Sequence, residues 1–158
     1  MTKAISCFTA RLLSAIIAAC FLSGLYGIGA ARAEADVPLP EYEITQPLPT
    51  DPPEVKELLG IWAGNWEGNL DAVLVITAID VTEKRAKIIY AYGDCSAWYI
   101  KKGYIQVVAE FVPGEKPIIK WGPGTNQVRF DFVLKKGKLK GSRVSGSYWN
   151  SVTMTKRP

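Results

Sequence analysis

From residue 60 onward the apolar and polar positions alternate with a period of two, and no stretch there holds a 3.6-residue period. Residues 127–134 alternate most cleanly: Val128, Phe130, Phe132 and Leu134 point one way, Arg129 and Asp131 the other. Residues 103–112 place Ile105, Val107, Ala109 and Phe111 on one side. Residues 72–81 are apolar on both faces, which predicts a strand covered on both sides. Further strands are predicted over 60–69, 86–92, 117–122, 139–144 and 147–156, with 98–100 as the start of another extended piece. Polar or Gly/Pro-rich turns separate them at 82–85, 93–97, 113–116, 122–126 and 135–138.

About eight short strands in sequence order, joined by short turns, must pair antiparallel with their neighbours. An up-and-down meander of this kind exposes two edges unless it closes on itself. Eight is the smallest common number of strands that closes with space inside for side chains or one small ligand. Strands of about eight residues and turns of about four add up to roughly the hundred residues present. A two-sheet sandwich would need longer crossing connections. The expected fold is therefore all-β, an antiparallel up-and-down β-barrel over residues 58–158.

The chain ahead of the barrel divides in two. Residues 34–57 hold six of the ten prolines and seven acidic residues against one lysine, the pattern of an extended tether partly laid over the domain. Glu54 to Leu59 is expected to make one helical turn that closes an end of the barrel, with Asp51 capping it ahead of Pro52 and Pro53. Residues 1–33 read as a secretory signal peptide: Lys3 and Arg11, then an apolar stretch from Leu12 to Ala30, then Ala31-Arg32-Ala33 as a cleavage site. Export implies a periplasmic or secreted location. The alternatives are an uncleaved membrane anchor and lipidation at Cys20, where Ile17-Ala18-Ala19-Cys20 resembles a lipoprotein box.

Charge and composition narrow the chemistry. The 158-residue chain carries a net charge of +4, but Lys3, Arg11 and Arg32 all lie in the leader. The remainder is close to neutral, so basicity gives no reason to expect a nucleic-acid partner. The chain has no histidine, which excludes histidine-based triads, proton shuttles and metal sites. Of its three cysteines only Cys95 lies beyond the leader, so no disulfide within the mature chain and no four-cysteine zinc site is expected. No cofactor is implied.

The segment Gly60-Ile61-Trp62-Ala63-Gly64-Asn65-Trp66-Glu67-Gly68 opens the barrel region. It resembles the start of lipocalin-like (calycin) barrels, whose first strand carries Gly-x-Trp, and of small exported bacterial barrels that begin G-x-W-x-G-x-W-x-G. The resemblance implies that Trp62, after Gly60, plugs the closed end of the barrel, with a basic residue of the last strand across its indole. Lys156 and Arg157 are the candidates. Lipocalins proper are longer and usually end in a helix, which this chain lacks.

Aromatic residues supply the candidate binding surface, since Tyr and Trp combine a broad apolar face with a hydrogen-bonding tip. Tyr90, Tyr92, Trp98 and Tyr99 surround a break at 93–96, with Trp66, Phe130 and Phe132 on neighbouring inward positions and Asp94 at the rim. The expected function is a non-enzymatic barrel binding a small apolar or amphipathic ligand through Trp66, Tyr90, Tyr92, Asp94, Trp98, Phe130 and Phe132. The alternative is a filled barrel acting through its surface on an envelope protein or an anionic membrane. Lys135, Lys136, Lys138, Lys140 and Arg143 form a basic hairpin suited to anionic lipid or to the acidic tether, or simply to a solvated turn. Two features bear on an enzyme: Cys95 as a thiol activated by Lys101 or Lys102, and Glu67 with Asp71 as paired carboxylates. Both have plainer readings, a buried inert cysteine and two acids beside a turn.

Overall fold

A computed structural model describes residues 36–122 and 128–158. The signal peptide, its cleavage near Ala33 and lipidation at Cys20 lie outside the described residues, as does most of the turn expected at 122–126. A short helix α1 (Pro53–Leu58) precedes eight strands: β1 (Gly60–Trp66), β2 (Leu70–Asp80), β3 (Arg85–Tyr92), β4 (Gly103–Val112), β5 (Ile118–Trp121), β6 (Arg129–Lys135), β7 (Lys138–Ser145) and β8 (Tyr148–Lys156). They form a closed barrel in sequence order, each antiparallel to its neighbours. No helix among the described residues is long and apolar enough to cross a membrane.

Alternation sets which side chains enter the barrel. Trp62 and Trp66 of β1, Leu74 and Ile76 of β2, Ile88 and Tyr90 of β3, Phe111 of β4, Ile119 of β5, Phe132 of β6, Leu139 of β7 and Met154 of β8 share one buried cluster. Turn chemistry follows the strand ends. Lys135 pairs with Lys138 across two residues, Lys136 and Gly137, with φ of 52° and 68°. Positive φ at both central positions matches the right-handed twist of the strands it joins, and glycine accepts it without strain.

The ring closes where β8 meets β1. Trp62 pairs with Lys156 and Ala63 with Thr155, and the Arg157 amide donates to the Ile61 carbonyl at 2.8 Å. Gly64 lets the two strands approach: a Cβ there would lie 2.8 Å from the Thr153 carbonyl oxygen and 2.9 Å from Met154 Cγ.

Three local features depart from the sequence expectation. Residues 98–100 make no barrel strand; Ser96–Trp98 form a 3₁₀ turn, and Ile100 bridges to Cys95. Asp51 does not cap α1, because its carboxylate accepts the Leu48 amide at 2.7 Å in the preceding turn. A bulge interrupts the β2–β3 register between Ile76 and Ala78. The Thr77 carbonyl accepts the Thr45 amide of the proline-rich segment at 2.8 Å. That segment covers the outer faces of β2 and β3, where Val37 and Ile44 pack on Val73, Val75 and Ile89. The two-faced apolar run in β2 is thus covered inside by the barrel core and outside by the tether. Asp36 forms an ion pair with Lys102, not with the basic hairpin.

Gly64→Ala is expected to lower unfolding stability by about 1–3 kcal/mol, the usual cost of overpacking a tight site, measured by urea denaturation. An unchanged midpoint would show that β1 and β8 do not meet as closely as described.

Candidate functional site

The two ends of the barrel are built differently. At one end α1 lies across the opening, with Val55 and Leu58 buried in the core. Trp62 is completely buried beneath it, and its Nε1 donates to the Leu58 carbonyl at 2.8 Å. Lys156 Nζ lies 5.5 Å from the centre of the Trp62 ring and donates to the Glu57 carbonyl at 2.6 Å. One ammonium thus ties the last strand to the end of the helix and to the indole face, a cation–π arrangement. Burial lowers the pKa of Lys156 below the usual lysine value, against the opposing pull of Glu57. Of the two basic candidates, Lys156 takes this position. Gly60 sits beside it, where a Cβ would fall 2.8 Å from Lys156 Cε.

Aromatic rings fill the middle of the barrel. Trp121 stacks on Phe132 (5.3 Å, 2°) and Phe130 (4.8 Å, 14°), while Trp66 meets both phenylalanines edge-on at 6.0 Å. Trp66 Nε1 donates to the Tyr90 hydroxyl at 2.8 Å. Burial raises the Tyr90 phenol well above its ordinary pKa, partly offset by the Trp66 bond and by Arg143. Each such aromatic pair adds about 0.5–1.5 kcal/mol beyond its buried area. Trp66 and Phe132 therefore belong to the packed core and have no solvent-exposed surface.

The opposite end holds a recess of about 380 Å³, lined by Leu70, Tyr90, Tyr92, Ile100, Lys101, Ile105, Val128, Phe130 and Arg143. Of the seven residues expected to line a binding site, Tyr90, Tyr92 and Phe130 meet here. Trp98 packs against the core at its margin without lining it. Asp94 is exposed in the loop between β3 and β4, where its carboxylate accepts the Lys102 amide at 3.0 Å. Tyr99, beside it, is 97% exposed.

The residues considered for catalysis are engaged elsewhere. Cys95 is buried in the core with both backbone polar groups bonded to Ile100. Glu67 accepts Asn150 Nδ2 at 2.9 Å and the Ser151 amide at 3.2 Å, while Asp71 accepts Asn65 Nδ2 at 2.7 Å. Each carboxylate thus has its own partner. Among the described residues no three Cys, Asp or Glu side chains converge on a possible metal site.

One lining residue departs from the sequence expectation. Arg143, grouped with the basic hairpin, faces inward at the opposite end of β7 from the Lys135–Lys138 turn. It pairs across from Phe130 and Asn150. The signal was present in β7 itself: Leu139, Gly141 and Arg143 share one parity, and Leu139 is buried. Trp121 was likewise legible only as a strand residue, since its stacking partners lie on β6.

Trp62→Phe is expected to destabilise the barrel by about 2–4 kcal/mol, because it leaves a cavity and strands the buried Leu58 carbonyl. Thermal unfolding of the variant measures this, and a loss below about 0.5 kcal/mol would remove Trp62 from its place as the end plug. Comparisons of this chain with protein-family models, curated proteins and solved structures find no match.

Proposed function

We propose that this protein is an exported, non-enzymatic, lipocalin-like barrel that binds one small amphipathic molecule at the mouth opposite α1. The observation that carries this reading is the recess of about 380 Å³, in which Tyr90, Tyr92, Ile105 and Phe130 meet polar heads from Arg143 and Lys101. An apolar lining with a few convergent polar groups, within the usual 300–1,000 Å³, is the form small-ligand sites take. The aromatic stack beneath it sets the depth, so the ligand lies in the mouth and not along the barrel axis. Export rests on the leader sequence. The lipocalin-like assignment is supported by the first-strand Gly-x-Trp and by Lys156 over Trp62.

A second reading, a filled barrel acting through its surface, is favoured by one observation. Tyr99, in the connection between β3 and β4, and Tyr148 and Trp149, at the start of β8, are 97%, 75% and 63% exposed at the end of the barrel opposite α1. Such a rim would suit docking on an envelope protein or a membrane.

A neutral fluorescent apolar dye, Nile red, separates the two. One-to-one binding is expected, and Ile105→Trp is expected to abolish it by filling the recess. Ile105 is 39% exposed, so this substitution should leave stability within about 0.5 kcal/mol. Absence of dye binding, or binding indifferent to Ile105→Trp, would contradict the recess as the site.

A further inference from the structure

We propose that the mouth recess selects amphipathic anions, with the Arg143 guanidinium holding the oxyanion head and the surrounding aromatic and aliphatic side chains holding the tail. The inference rests on the recess being the binding site and adds the charge of its ligand.

The first support is the electrostatic make-up of the lining. Lys101 and Arg143 are cationic, and none of the described lining residues is acidic. Arg143 is half-buried and faces inward between Phe130 and Asn150. Among the described residues the only hydrogen bond of its guanidinium runs from Nη1 to Asn150 Oδ1 at 3.2 Å, and no carboxylate lies within 4.0 Å of it. Asn150 leads on to Glu67, but that carboxylate is occupied by Asn150 Nδ2 and the Ser151 amide. A guanidinium presents five N–H donors in a planar fork. Most of them remain free to bind a ligand, on a cation whose burial is costly until a counter-charge arrives.

The second support is a donor beside it. The Tyr90 hydroxyl accepts from Trp66 Nε1, so its own proton is left to donate. Burial keeps that phenol protonated. A half-buried cation and a protonated hydroxyl in the lining of an apolar recess match a carboxylate, phosphate or sulfonate on a short hydrocarbon tail. They mismatch a neutral tail of the same length, which leaves the charge unpaired.

Decanoate and decanol test this, titrated into the protein by isothermal calorimetry. Decanoate is expected to bind at least tenfold more tightly. Arg143→Gln, which keeps an amide facing Asn150, is expected to erase that preference by weakening decanoate binding at least tenfold. Lys101→Gln, on a solvent-exposed side chain that folding does not depend on, is expected to reduce the preference a few-fold. Equal binding of the two probes, or a preference that survives both substitutions, would overturn the charge selection alone. Failure of both probes to bind would overturn the recess reading and this inference with it. Vesicle sedimentation then identifies the source of the anion. Arg143-dependent sedimentation with phosphatidylglycerol but not phosphatidylcholine vesicles assigns it to a lipid headgroup. A decanoate preference without sedimentation assigns it to a free amphiphile.

Discussion

Closure of the ring at β1 and β8 is the constraint on which the rest of the structure depends. Eight strands in an up-and-down meander bury one face only if the last strand finds the first. Here they meet through two register pairs, the Arg157–Ile61 bond and the close approach over Gly64. Once the ring is shut, every strand has a neighbour on both sides, and the inward positions face one another across a small lumen. That lumen must be filled or hydrated. The chain fills most of it with Trp62, Trp66, Phe111, Trp121 and Phe132, whose large areas supply much of the burial available to a domain of this size.

Filling is uneven, and the unevenness gives the barrel a direction. At the α1 end an indole, an ammonium and two helix carbonyls satisfy one another, so that end is sealed by short contacts. At the other end the stack stops at Tyr90 and Phe130, and the polar groups above it are only partly matched. Tyr90 joins these regions: its ring packs on Phe130 at 5.1 Å and its hydroxyl ties to Trp66 below. The same residue therefore forms the roof of the core and the floor of the recess. A packed interior and an open recess at the mouth are in this way compatible, where a deep cavity and a packed interior would not be.

The strand pattern was legible because a period of two needs no knowledge of partners. Phe130, Phe132 and Leu134 declare one face of β6 by themselves, and the closed eight-strand barrel follows from strand number and turn length. The Trp62 and Lys156 pairing was legible as one of two alternatives, since position along β8 left Arg157 open. Other features depend on tertiary contacts that no local pattern encodes. The bulge at Thr77 hides inside an uninterrupted apolar run, and it is the docking of Thr45 that gives the Thr77 carbonyl a partner. Trp66 and Phe132 have the residue type of a ligand lining, yet Trp121 reaches across from β5 and closes them in. Arg143 carried a basic-surface signature by composition and an interior signature by parity. Charge pointed one way, register the other, and register decided.

Ligand-induced shifts of backbone amide resonances test most directly whether the filled barrel confines binding to one end. Addition of decanoate should move the amide signals of Leu70, Tyr90, Tyr92, Ile105, Phe130 and Arg143, and leave those of Gly60, Trp62, Leu139 and Met154 in place. Shifts centred on Trp62 and α1, or spread evenly through the core, would contradict a plugged barrel that binds at its mouth.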